Sequence, residues 1–226
     1  MLSIAEIWQW LFDVTNWEGR YGLVNLFFEH MTLSFSAILI AALIAVPIGV
    51  AIGHLGKGEA VVVAISSISR AIPTMGLLFA LVMFMGIEFR GFAVTLALVI
   101  IAIPPILAGS YAGIKAIPQT ISQAAKAQGM TAQQLIWHVE LPLSAASIIG
   151  GVRIAYIQVV STVVLAPLIG LGGLGFGIIQ GLALRDFAQV TSSALIIVFI
   201  TILGDRLIGF AQKLTAVKLA AVEIDR

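Results

Sequence analysis

Arg70 stands in an apolar stretch three residues before Pro73, and a charged group in that setting has two uses. It lines or gates a polar pathway, held by carbonyls that the proline frees, or it pins one helix to a neighbour. On a pathway it would repel a cationic solute and could meet an anionic group. Tyr156, Gln158, Ser161 and Thr162 bring polar groups into a second apolar stretch. Gln158 lies three residues from Ser161 and four from Thr162, so these three share one helical face. That face suits a translocation pathway, or the interhelical hydrogen bonds that small polar residues often make in membranes.

The remaining polar groups point to no catalysis. His30, His54 and His138 are isolated, with no ligand partner at helical spacing, so no metal site is expected. Gly170, Gly172, Gly173 and Gly175 do not fit a phosphate-cradling loop, which needs a following Lys and a hydroxyl residue. They read as a tight re-entrant or interfacial turn where backbones pack closely, a second copy being one partner to consider. Asp205-Arg206 suggests a local ion pair or a bundle-facing contact, with proton coupling as the alternative. No nucleophile stands beside a positioned base. The apolar stretches hold no aromatic cluster of the kind that boxes an organic cation, so no tight site for one is expected within them.

The elements that carry these residues follow from composition. Of 226 residues, 60% are hydrophobic and only 10% charged, with a mean hydropathy of +1.10. A soluble domain is about 25% charged, so the chain is read as an all-α integral membrane protein. Without cysteine it has no disulfide or thiolate metal site. A span needs roughly 20 apolar residues, which gives about five: 24–53, 60–86 broken at Pro73, 91–111 bent at Pro104-Pro105, 144–166 and 190–210. Residues 1–23, with Trp8, Trp10 and Trp17, read as an interfacial segment rather than a cleaved signal. The membrane domain is 24–212, with a loop at about 115–142, and 213–226 is a cytoplasmic tail. One set of span ends carries Lys57, Lys115, Lys126, Arg153, Lys213, Lys218 and Arg226; the other carries Arg20, Arg90 and Arg185. The positive-inside rule then puts the N-terminus outside, and the C-terminus and the 112–142 stretch inside.

That stretch is the longest polar one between spans. Ala124, Ala125 and Ala127 favour helix and let a neighbouring surface come close. Gly129 suits a left-handed turn and Thr131 an N-cap, so helix, turn, helix is expected across the cytoplasmic mouth. Leu141-Pro142 should stop the second helix after Val139 and open the next span.

The order Gln123-Ala124-Ala125, Gly129, Leu141-Pro142 resembles the cytoplasmic EAA loop of ATP-binding-cassette (ABC) importer permeases. Arg70 to Leu78, Ile103-Pro104-Pro105-Ile106-Leu107, Tyr111-Ala112-Gly113-Ile114 and Ile169 to Gly175 are similar to the branch that imports glycine betaine, choline and carnitine. The resemblance covers about residues 25–210. It implies a MetI-like, type I ABC importer permease fold, with Gln123, Ala124, Ala125, Gly129, Leu141 and Pro142 coupling to an ATPase subunit. Gln123 departs from the family's Glu, keeping hydrogen-bonding reach but losing charge. Implied partners are the ATPase, a second permease copy, alike or different, an extracytoplasmic binding protein and the bilayer of a bacterial or archaeal cell. ATP and Mg²⁺ would sit on the ATPase, with no cofactor on this chain. The alternatives are an ABC permease for another small solute, such as an amino acid, and an ion-coupled secondary transporter.

Overall fold

The computed structural model describes residues 3–224, with side chains described except at 68–70 and 217–224. The short helix α1 (Ile4–Phe12) starts in a capping box, in which Ser3 Oγ accepts from the Glu6 N–H and Glu6 Oε2 accepts from the Ser3 N–H. That backbone bond holds the Glu6 carboxyl below its ordinary pKa. Ile4, Trp8 and Phe12 are exposed along α1, with Trp8 and Phe12 stacked at 5.6 Å.

Four helices are long and apolar enough to cross a membrane: α2 (Leu23–Leu55), α5 (Arg90–Lys115), α8 (Leu141–Val163, continuous with the turns from Ala132) and α10 (Phe187–Ile224). The expected second span is two helices, α3 (Glu59–Ala71) and α4 (Thr74–Met85). Ile72 between them is extended at φ −76°, ψ 119°, the region into which a following proline pushes its neighbour. At 1.5 Å per residue each is about 20 Å long or less, short of the ~30 Å hydrocarbon core. Neither is therefore long enough to cross on its own. The backbone of Arg70 lies in α3, but its side chain, like those of Lys218 and Arg226, lies outside the described residues.

Prolines inside the long helices do not end them. Pro47 lies within α2, and Pro104 and Pro105 within α5. The latter two leave the carbonyls of Ile100 and Ile101 without their usual donors, which membrane helices tolerate where neighbours compensate.

The expected stop at Leu141-Pro142 is not observed. A π-turn, Ile136–Glu140, joins α7 (Ala132–Leu135) to α8, and the Leu141 N–H donates to the carbonyl of Ile136 five residues back. The wider turn takes up the missing proline donor, so the chain passes Pro142 as helix.

The chain divides into two compact units. The first comprises Met1–Ile38, Pro73–Val99 and Tyr156–Gly204. Its core gathers Leu23, Leu26, Leu174 and Ile197, with Trp10, Phe27 and Phe176 packed on it. The glycine-rich turn closes against this unit's own residues. A Cβ on Gly175 would fall on the Val164 carbonyl oxygen, and one on Gly172 would strike the Glu29 carboxylate. Beyond it runs α9 (Gly175–Leu184).

The second unit comprises Leu39–Ile72, Ile100–Ala155 and Asp205–Arg226. Small residues bring its helices together. A Cβ on Gly49 would stand 2.6 Å from Ser110 Cβ, and one on Gly53 2.7 Å from Ile114 Cβ, where α2 meets α5. A Cβ on Gly109 would stand 2.8 Å from the Gly151 Cα, where α5 meets α8. Such small-residue stripes four apart are how membrane helices gain van der Waals contact when no hydrophobic force separates protein from lipid.

Candidate functional site

The polar segment is built as local chemistry dictates. Helix α6 (Gln119–Ala127) ends in a Schellman motif: the Met130 N–H donates to the Ala125 carbonyl at 3.2 Å and the Gly129 N–H to that of Lys126 at 2.9 Å. Gly129 sits at φ +84°, the left-handed conformation that this closure requires. Thr131 then caps α7 in a second capping box, its Oγ1 accepting from the Gln134 N–H while Gln134 Oε1 accepts from the Thr131 N–H.

The segment sorts its residues by face. Gln123, Ala124, Lys126, Ala127, Gln128 and Gly129 are exposed, whereas Ala125 and Leu135 are buried. The small residues of α6 thus divide: Ala124 and Ala127 present a shallow outer surface, and Ala125 packs inward. Leu141 is half-buried and Pro142 exposed, both on the first turn of α8.

Behind the segment lies a contact that no local spacing signals. His54, in the last turn of α2, sits 2.8 Å through Nδ1 from Glu140 Oε2, with the pair almost wholly buried. The partners are 86 residues apart, so His54 is not the isolated residue the sequence suggests. The π-turn delivers Glu140 to that position. Losing one partner of a buried pair costs on the order of 3 kcal/mol. His54→Ala is therefore expected to speed hydrogen exchange at the backbone amides of 136–140 roughly tenfold or more, and His54→Gln, which keeps a donor, to restore most of the protection. Unchanged exchange in the alanine variant would mean that the pair does not hold the turn.

Arg153 and Asp205 form a second connection across the helices, with Arg153 Nη2 2.7 Å from Asp205 Oδ2 and Nε 2.5 Å from Oδ1. Arg153 was counted from sequence among cations at span ends. It instead lies within α8, paired with Asp205 of α10, so Asp205 takes the helix-bridging contact in place of a pair with its neighbour Arg206. Gly209 leaves room for the guanidinium, since a Cβ there would stand 3.2 Å from Arg153 Cζ.

The polar groups around α8 separate. Tyr156 is buried and its hydroxyl donates to the Ile200 carbonyl at 2.8 Å, an interhelical bond. Thr162 Oγ1 donates to the Gln158 carbonyl one turn back, at 2.8 Å. The side chains of Gln158 and Ser161 are exposed, as is Pro73 at the α3–α4 break. Of the candidate pathway residues whose side chains are described, these three are the ones exposed on the single chain.

Comparison with known proteins bears on the whole chain. Residues 37–219 match the family model of the binding-protein-dependent transport system inner membrane component. The carnitine transport permease protein OpuCD of Listeria monocytogenes is 30% identical over 204 residues, 90% of this chain and 90% of that protein. The glycine betaine/carnitine/choline transport system permease protein OpuCD of Bacillus subtilis is 28% identical over 209 residues, 92% of this chain and 90% of the relative. A structure of the MetNI methionine ABC transporter in an inward-facing conformation superposes with a TM-score of 0.70 at 21% identity, covering 96% of this chain and 99% of the other.

Proposed function

The chain belongs to the family of binding-protein-dependent transport system inner membrane components, and we propose from that premise that it forms one half of the pathway of an ATP-driven importer for small quaternary ammonium osmoprotectants. Its fold is all-α and MetI-like, that of a type I ABC importer permease. The family is a membrane transport component and not an enzyme. ATP and Mg²⁺ belong, in this reading, to a separate ATPase subunit.

The observation that carries the substrate class is the likeness over nine-tenths of the chain to permeases named for carnitine, choline and glycine betaine. The observation that supports coupling is the segment 119–140, with its exposed Gln123, Ala124 and Ala127 surface around the Gly129 turn. ATP binding would draw two ATPase subunits together, carry the two copies of this segment with them and turn the pathway from inward-open to outward-open. A loaded extracytoplasmic binding protein would then deliver the solute. In this reading the N-terminus lies outside and the C-terminus in the cytoplasm, which would put the segment on the ATPase side. Gln158, Ser161 and Pro73, open on the single chain, are the residues proposed to line the pathway or meet the second permease; Tyr156 acts between helices instead.

A panel of labelled solutes tests the substrate class. In cells lacking other betaine transporters but carrying this chain with its ATPase and binding protein, glycine betaine uptake is expected to be saturable and competed by carnitine and choline. Uptake of an amino acid alone, indifferent to these three, would overturn the substrate reading.

A further inference from the structure

A cavity of about 340 Å³ lies in the first unit, between the N-terminal segment and α9. Trp10, Tyr21 and Phe176 supply aromatic surface to its wall, and Glu18 and Arg20 are its two charged lining residues. Residue spacing did not reveal this cluster, because Phe176 comes from more than 150 positions further along the chain than Tyr21. The Tyr21 and Phe176 rings stack at 4.6 Å with planes 10° apart, and the Arg20 guanidinium carbon stands 5.9 Å from the Tyr21 ring centre. The Arg20 guanidinium thus holds the face of Tyr21 that Phe176 leaves open, the face on which a ligand cation would have to replace it. One turn along α9 from Phe176, Gln180 Oε1 accepts from Nε2 of the buried Gln189 at 2.8 Å. No other bond engages the Gln180 amide N–H groups among the described residues.

We propose that this cavity binds a small zwitterion with an ammonium end. Glu18 and Arg20 are both exposed to solvent; a simple cation would be repelled by Arg20 and a simple anion by Glu18, while an apolar ligand would displace water from both charges and offer nothing in return. A zwitterion matches both: its ammonium lies against the aromatic wall beside Glu18, and its carboxylate or phosphate takes Arg20 and the Gln180 amide. Two sources offer that chemistry, a free solute such as glycine betaine and the headgroup of a zwitterionic phospholipid. The solute arm rests on the osmoprotectant reading above. The site would then be an extracytoplasmic holding point, distinct from the Gln158 face of α8.

The test is equilibrium binding of radiolabelled glycine betaine to the full chain in nanodiscs of phosphatidylglycerol alone, without ATP or binding protein. Retention of phosphatidylethanolamine is measured in parallel on chain purified from mixed lipid. Binding to the wild type is expected to be saturable, about fivefold weaker in Tyr21→Leu and in Glu18→Gln, and unchanged in Tyr21→Phe. Tyr21 is exposed, so its replacement leaves the core intact, and thermal unfolding of each variant checks this. Variant-sensitive phosphatidylethanolamine retention without solute binding would assign the same site to the headgroup. Neither ligand binding in a variant-sensitive way would overturn the proposal. Uptake by the complete transporter, assayed alongside, separates the two readings. Transport that persists with no variant-sensitive binding sinks the cavity and spares the importer, and binding without transport of any osmoprotectant does the reverse.

Discussion

Replacing His30 with alanine is expected to destabilise the chain by about 2–4 kcal/mol, the largest single effect on the fold. His30 is fully buried, and its ring joins three elements. Nδ1 accepts from the Leu174 N–H at 3.3 Å, so the ring is the Nε2–H tautomer and donates to the Val160 carbonyl at 3.1 Å. Leu174 is the N-cap of α9, whose N–H has no helical acceptor, and Val160 lies in the last turn of α8. One neutral imidazole thus ties two helix ends to α2. Its loss leaves a buried N–H unpaired, at about 1–3 kcal/mol, and opens a cavity besides. His30→Gln retains a donor and an acceptor and should recover part of the loss. His30→Phe fills the space without either bond and should not. Denaturant titration of the purified chain in detergent reads all three, and equal stability of the phenylalanine and wild-type proteins would show that packing alone matters there.

Gly129→Val is expected to reduce association with the ATPase tenfold or more while leaving the chain inserted and folded. Open space surrounds Gly129, with no atom within 4 Å of an added Cβ, so the penalty comes from the backbone and not from a clash. At φ +84° a side chain costs roughly 1–2 kcal/mol, and β-branched residues fare worst. The strain would be relieved by opening the Schellman closure, which swings α6 relative to α7 and breaks up the surface made by Gln123, Ala124 and Ala127. Gly129→Asn, whose side chain tolerates the left-handed region, should bind nearly as well as wild type. The valine–asparagine contrast separates loss of the turn from loss of glycine as such. Co-purification with the ATPase measures it, and equal recovery for both variants would remove this segment from the coupling role.

Local structure was legible in sequence wherever one residue type has one conformational use. Gly129 closes α6, Thr131 caps α7 and Pro73 breaks the second apolar stretch, each through chemistry confined to a few neighbours. Pro142 misled because its missing N–H can end a helix or be absorbed by a π-turn, and sequence does not choose between them. Contacts between distant residues were out of reach. His30 meets partners 130 and 144 positions away, His54 meets Glu140, and Arg153 meets Asp205 across 52 positions. Only the crossing of helices brings such pairs together, and the close crossings rest on Gly49, Gly53, Gly109 and Gly151, which carry no chemistry of their own. The Trp10, Tyr21 and Phe176 wall escaped for the same reason: its rings come from outside the spans and meet only when the N-terminal segment folds against α9.

The central claim is that this chain conducts solute under power supplied by a partner's ATP hydrolysis. Its most direct test is uptake of labelled glycine betaine by proteoliposomes holding the complex of this chain and its ATPase, with loaded binding protein outside and ATP enclosed. Uptake is predicted to require both ATP and binding protein, to stop when hydrolysis is blocked by vanadate, and to persist when ionophores collapse every ion gradient. Uptake that continues without ATP and vanishes with the gradients would contradict the account and make the chain a secondary transporter.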